Sequence, residues 1–175
     1  MKPLITALLS LAMVAGCADT PQAVPAYNEG RLVLNQTLTI PPNAATVRLQ
    51  YGRVVASNAV QEHDPFCVFE IDTVAVGEQT VRPGRFAIIR IGRSIETIAG
   101  LDTPRRVRVI LGDDSGGLSH LYYKTTFRLH DGTQPVRALT CMSNQLAAGS
   151  AIMRHLTPGE IREALGRIIS LEFPT

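Results

Sequence analysis

Tryptophan, lysine and net charge are all scarce in this sequence. The chain has no Trp, and all of its 17 basic residues except Lys2 and Lys124 are Arg. The formal net charge is only +2, and no block of Arg or Lys is interleaved with aromatic residues. The composition therefore gives no indication of a nucleic-acid partner. The preference for Arg favours planar, two-pronged contacts to carboxylate or phosphate groups.

The chain also lacks an apolar run long enough to cross a bilayer. Its N-terminal apolar stretch covers residues 4–14, whereas a membrane-spanning helix needs roughly 20 residues. Lys2 precedes this stretch, and Ala15, Gly16 and Cys17 follow it. This order predicts a cleaved signal peptide over residues 1–16. The alternative is an N-terminal core helix with an incidental cysteine.

The sequence VAGC at residues 14–17 resembles the bacterial lipobox. The resemblance implies cleavage before Cys17 and a diacylglycerol on its thiol, and acyl chains such as palmitate would then anchor the protein to a membrane. Ala18, where an Asp would retain a lipoprotein in the inner membrane, favours the periplasmic face of the outer membrane in a Gram-negative source. Residues 17–30 are expected to be the lipidated cysteine and a flexible tether, because they contain prolines and little apolar periodicity.

From residue 31 onward, apolar residues mostly alternate with polar ones, as in strands with one buried face. Residues 31–175 are therefore predicted to form a single, mainly β domain, either an antiparallel β-sandwich or a partly open barrel. Residues 85–91 alternate less cleanly, which predicts a strand buried on both faces. The alternating sets are Leu32, Leu34, Leu38 and Ile40; Val47, Leu49 and Tyr51; Cys67, Phe69 and Ile71; Val107, Val109 and Leu111; Leu121, Tyr123, Thr125, Phe127 and Leu129; Leu139 and Cys141; and Ile169, Leu171 and Phe173.

One short C-terminal helix is predicted from residues 157–166. Thr157 and Glu160 have the spacing of a capping box, and Pro158 suits the first helical position. Gly166 is a suitable C-terminal stop. The helix is expected to cover an edge or an end of the sheet.

Once Cys17 is assigned to the lipid, Cys67 and Cys141 remain as an even set in an oxidising compartment. Each lies on the apolar face of its alternating run, which predicts a disulfide bond rather than two free buried thiols. No CxxC motif is present and the four His are scattered, so no zinc site and no cofactor are expected.

The segment GDDSGG at residues 112–117 resembles the surroundings of the nucleophile in trypsin-like proteases, with one Asp inserted. The favoured interpretation is a hairpin loop between the runs 105–111 and 119–129. The alternatives are a weak cation site at Asp113 and Asp114, and a hydrolase that uses Ser115 or His63.

A group of arginines could form a contact surface for an anionic envelope component or an acidic partner. The alternative is that these side chains are simply solvated. The group consists of Arg82, Arg85, Arg90, Arg93, Arg105, Arg106 and Arg108.

The stretches PFCVFEI (65–71), QPVRALTC (134–141) and TPGEIREALG (157–166) are similar to those of small proteobacterial lipoproteins of unknown function. The resemblance implies location and class, and it brings no catalytic residues. The sequence thus favours a lipid-anchored, non-catalytic binding or accessory protein of the cell envelope. The other hypotheses are a periplasmic hydrolase and a structural subunit of an envelope-spanning assembly.

Overall fold

The computed structural model of the chain describes residues 30–99, 119–146 and 153–174. The strands in these ranges are β1 (Gly30–Leu34), β2 (Leu38–Ile40), β3 (Thr46–Gln50), β4 (Arg53–Val55), β5 (Phe66–Ile71), β6 (Gln79–Val81), β7 (Gly84–Ala99), β8 (Ser119–His130), β9 (Val136–Met142), β10 (Asn144–Leu146) and β11 (Ile169–Glu172). A 3₁₀ turn spans Ser57–Ala59, and the helix α1 spans Pro158–Leu165.

Nine of these strands form one antiparallel sheet within the described residues. Its order is β11–β1–β7–β8–β9–β5–β3–β4, with β10 beside β8, and β2 pairs with β6 in a separate two-stranded ribbon. The large sheet curls into a half-barrel. The mainly β class and the partly open barrel are therefore confirmed.

The core lies on the inner face of the half-barrel, which is the face covered by α1 and by the β2–β6 ribbon. Alternate residues of six neighbouring strands point into it, and α1 adds an apolar stripe because Ile161 and Leu165 are one turn apart. The fully buried side chains include Leu32, Leu34, Leu49, Phe69, Phe86, Ile88, Leu139 and Leu165. Burying each large apolar side chain contributes about 1.5–3 kcal/mol.

Two predictions from alternation need correction. Leu34 and Leu38 are both buried, but they belong to strands of different sheets rather than to one run. Tyr51 does not follow Val47 and Leu49 into the core, because it adopts a left-handed φ of 52° in the turn after β3 and is 46% exposed. β8 pairs with β7 on one side and with β9 and β10 on the other, while the predicted hairpin partner at 105–111 lies outside the described residues and stays a prediction.

The helix begins and ends where its capping residues predict. Thr157 accepts a hydrogen bond from the backbone of Glu160, whose carboxylate accepts one from the backbone of Thr157 at 2.7 Å. The chain leaves the helix at Gly166 with φ 56°, a conformation that favours glycine. There it packs against the turn between β3 and β4 so closely that an added Cβ would lie 2.3 Å from the Cα of Gly52. The helix end and this turn are thus fitted to each other.

Cys67 and Cys141 are directly opposite each other on β5 and β9 and are joined by a disulfide bond, as the sequence predicts. Both are fully buried among the core residues. The bond therefore ties together two neighbouring strands in the body of the sheet.

A second, smaller apolar cluster lies on the outer face, the side of the sheet away from α1. It consists of Phe66, Tyr122 and Met142, with Val60 and Val68 packed against them. Tyr122, which the alternation places on the polar side of β8, is nevertheless buried, because the segment before β5 covers it.

The segment that covers this cluster is held by buried polar groups. The Tyr122 hydroxyl donates to the Glu62 carboxylate at 2.5 Å. Gln50, which is 1% exposed, bonds to both the backbone N–H and the carbonyl of Gln61. Burial, together with the hydrogen bond to Glu62, raises the pKa of Tyr122, so this phenol remains a donor in the folded protein.

Candidate functional site

A β-bulge in β7 decides which of its side chains reach the outer face. Phe86 and Ile88 point inward, and the pairing with β8 then shifts by one residue between Ile88 and Arg90. Side chains alternate along a strand, so one extra residue exchanges the two faces for everything that follows. Beyond the bulge, the even-numbered residues of β7 therefore point outward. The expectation that residues 85–91 are buried on both faces is wrong, since Ile89 is 52% exposed.

The bulge brings Arg90 opposite Arg128 of β8. The two residues are direct cross-strand partners, so their side chains leave the sheet on the same face. The next outward pair along the two strands is Gly92 and Thr126, followed by Ser94 and Lys124. Two guanidinium groups thus stand at one end of a short row of small and hydroxyl-bearing residues.

An open depression of about 230 Å³ occupies this part of the outer face. Gly92 forms its floor, and a Cβ added there would meet no atom within 4 Å. Without a side chain at this position, a ligand can approach the backbone closely. The residues that line the depression are Arg90, Gly92, Arg93, Ser94, Thr126 and Arg128.

Neither Arg90 nor Arg128 has an ion-pair or hydrogen-bond partner among the described residues. Two acidic side chains on this face are already engaged, since Glu96 pairs with Lys124 and Glu70 with Arg137. Like charges at directly opposed strand positions repel each other and destabilise the sheet. A bound anion would remove that repulsion.

The hydroxyl of Thr126 adds a neutral polar group to the depression. Its Oγ1 lies 3.1 Å from the Oγ1 of Thr140 on β9. Only one of the two hydroxyls can donate in this contact. When Thr140 donates, the proton of Thr126 is available to a ligand, so the site combines two cations with one hydroxyl donor. Such a donor set is suited to an oxyanion.

The structure separates the arginines that the sequence groups together. Arg85 forms an ion pair with Glu172, and Arg82 lies in the turn before β7, beside Gln134. Arg93 starts from the inner face, because its cross-strand partner is the inward-pointing Thr125. Burial, and then the charge of Arg93, lowers the pKa of His155 on that side. Of the described arginines in the predicted group, Arg90 and Arg93 line the depression, and Arg90 is the one that leaves the outer face of the sheet.

The remaining arginines of the predicted group, Arg105, Arg106 and Arg108, lie outside the described residues, and so do Ser115 and Cys17. His63 is described and exposed, in a turn closed by a hydrogen bond from the backbone of Asp64 to Gln61. The carboxylate of Asp64 accepts a hydrogen bond from Tyr51. That bond is the main cause of the raised pKa of Tyr51.

Sequence reasoning did not include Arg128, Gly92 and Thr126 in the site. Arg128 and Thr126 were identifiable as the polar side of an alternating run. Their position opposite Arg90 depends on the register of β7 against β8, and the two consecutive isoleucines at 88–89 are the only trace of the bulge in the sequence.

Comparison with protein-family models, with curated proteins and with solved structures found no match to this chain. None of the helices in the described ranges is long and apolar enough to span a membrane. Within residues 30–99, 119–146 and 153–174, no three His, Cys, Asp or Glu side chains are grouped as ligands for a metal ion.

Proposed function

We propose that this chain is a lipid-anchored, non-catalytic binding protein of the bacterial cell envelope, and that it contacts its partner with the outer face of β7 and β8. The observation that carries the proposal is the pair formed by Arg90 and Arg128. Two unpaired cations held side by side destabilise a free sheet, and an anionic partner would offset this.

The location is supported by two separate features of the chain. The VAGC sequence that ends at Cys17 has the residue types that lipid attachment requires. The bond between Cys67 and Cys141 is typical of an oxidising compartment such as the periplasm. More specifically, we propose that the anchor lies in the outer membrane of a Gram-negative cell, because Ala18 and not Asp follows Cys17.

The anchor is tested by metabolic labelling with a palmitate analogue and by membrane fractionation. The wild-type chain should be labelled and recovered with membranes, whereas Cys17→Ala should be unlabelled. Equal labelling of the two proteins would contradict the anchor.

The contact face is tested by photo-crosslinking in cells. A photoreactive residue at the exposed position Ser94, beside the depression, should give a discrete crosslinked product. The same residue at Thr39, which is exposed on β2 in the separate ribbon, is the matched control. The Ser94 product should disappear when Arg128→Glu is added. Persistence of the product in that variant would count against the arginine face.

A further inference from the structure

We infer that the depression over Gly92 is a subsite for a phosphate monoester group, held between Arg90 and Arg128. The inference rests on the proposed function and narrows the anionic partner to one chemical class. It includes Arg128 and Thr126, which lie outside the arginine group that the sequence indicates.

Charge balance favours phosphate over carboxylate at this position. A phosphate monoester carries about −1.5 to −2 charges at neutral pH, so one group neutralises the cross-strand pair of Arg90 and Arg128, and Arg93, which also lines the depression, adds attraction for the more negative ligand. A carboxylate carries a single negative charge and would leave one arginine uncompensated. The arginines leave neighbouring strands side by side, and three phosphate oxygens provide acceptors for both of them.

The open space over Gly92 and the hydroxyl of Thr126 also favour a phosphate group. The space over Gly92 is open, so a tetrahedral group can sit close to the backbone between the two strands. Thr126 can donate to a third oxygen while its own oxygen accepts from Thr140. The site therefore offers donors from three side chains, and no described carboxylate lines it to repel the ligand.

The position of the site in the fold suggests one source for the phosphate. Gly30, where the predicted tether joins the domain, is the direct partner of Ile88 on β7. The depression begins only two residues further along the same strand, at Arg90. A domain anchored through Cys17 would therefore have its attachment point close to the depression, which brings the depression within reach of lipid headgroups. A free phosphate monoester has the same chemistry, so the test must separate the two sources.

The first part of the test uses soluble probes. The full chain, purified from membranes in an uncharged detergent, is titrated by calorimetry with glycerol 3-phosphate and with acetate. We expect binding of glycerol 3-phosphate and at least about tenfold weaker binding of acetate, the factor that one charge-assisted hydrogen bond contributes. Equal binding of the two probes would overturn the assignment to phosphate.

Four variants locate the site. Arg90→Gln and Arg128→Gln should each weaken glycerol 3-phosphate binding by about tenfold or more. Gly92→Val keeps both charges but fills the floor, and it should weaken binding similarly. Arg82→Gln removes the same charge outside the depression and should leave binding unchanged. Wild-type affinity in Gly92→Val, with an unaltered urea midpoint, would overturn the location.

The second part of the test identifies the source. The full chain is reconstituted in phosphatidylcholine liposomes with or without phosphatidic acid, and hydrogen exchange is measured in β7 and β8. Protection that requires phosphatidic acid and is lost in Arg128→Gln indicates a lipid phosphate. Binding of glycerol 3-phosphate without such protection indicates a free monoester. Failure of both probes overturns the inference, while a Ser94 crosslink that forms in the wild type and is lost in Arg128→Glu would still support the proposed contact face.

Discussion

Removal of the bond between Cys67 and Cys141 is expected to lower the free energy of unfolding of the domain by a large fraction. The bond closes a loop of 74 residues in sequence separation. The loop-entropy relation gives about 4 kcal/mol for a loop of this length. Domains are typically stable by only about 5–15 kcal/mol. A double variant, Cys67→Ala with Cys141→Ala, should therefore remain folded at low temperature but unfold at lower urea concentrations than the wild type.

The assay is urea unfolding of the oxidised wild-type chain and of the double variant. With a slope of about 1–3 kcal/mol per molar urea, the midpoint should fall by roughly 2 M. The reduced wild-type chain should approach the double variant, and reductant should leave the double variant unaffected. Because both sulfur atoms are fully buried in the core, alanine also removes packing contacts and its midpoint should be the lowest.

Two results would refute this reasoning. Alkylation of both thiols in unreduced protein would show that the bond is not formed. An unchanged urea midpoint after complete reduction would show that the bond does not stabilise the domain by restricting the conformations of the unfolded chain.

Three further predictions concern the helix and the outer cluster. Gly166→Ala should lower the free energy of unfolding by about 1–2 kcal/mol or more in urea titrations, because φ is 56° there and the new Cβ meets backbone. Tyr122→Phe should lower it by about 1 kcal/mol, because the Glu62 carboxylate loses its 2.5 Å donor. The hydrogen bond from Arg154 lowers the pKa of Glu160 from 4.5 to about 2. Because this pKa is lowered in the folded state, the ionised Glu160 stabilises the fold above pH 4.5, and this stabilisation is lost as the pH falls from 4.5 towards 2. Over that pH range, the free energy of unfolding of Glu160→Gln should depend less on pH than that of the wild type.

Each of these predictions has a matched control in the chain. Gly77→Ala adds a Cβ in open space and should change stability by less than about 0.5 kcal/mol. Tyr123→Phe removes a hydroxyl whose only described contact is the Met153 sulfur at 3.7 Å, and it should have little effect. Arg154→Gln should make the free energy of unfolding less dependent on pH below 4.5, as Glu160→Gln does. Equal destabilisation by Gly77→Ala and Gly166→Ala would contradict the explanation for Gly166. An unchanged pH dependence of unfolding in both Glu160→Gln and Arg154→Gln would contradict the explanation for Glu160.

The parts of the fold that follow from local sequence were predictable. In β5, Cys67, Phe69 and Ile71 alternate without interruption, and all three are buried. The helix was predictable from Thr157 and Glu160, because a capping box is satisfied within one turn and needs no distant partner. Local patterns report which face a strand buries and where a helix starts.

The candidate site depends on information that is not local. Arg90 and Arg128 are distant in the sequence, and they meet only because β7 pairs with β8 in one particular register. The burial of Tyr122 depends on the segment around Glu62 folding over it. Alternation within one strand carries no information about its neighbours, so the sequence indicated basic residues but did not indicate which of them face each other.

The bulge at Ile89 is a position where β7 can lose one residue without moving its neighbours to the other face of the sheet. The side chain of Ile89 is half exposed, so many residue types should be tolerated there. Deletion of Ile89 would restore uninterrupted alternation while leaving Ile88 inward and Arg90 outward, opposite Arg128. In descendants of this gene, substitutions and the loss of one residue should therefore be tolerated at position 89, whereas insertions and deletions elsewhere in the strand, which exchange the faces of the residues beyond them, should be eliminated.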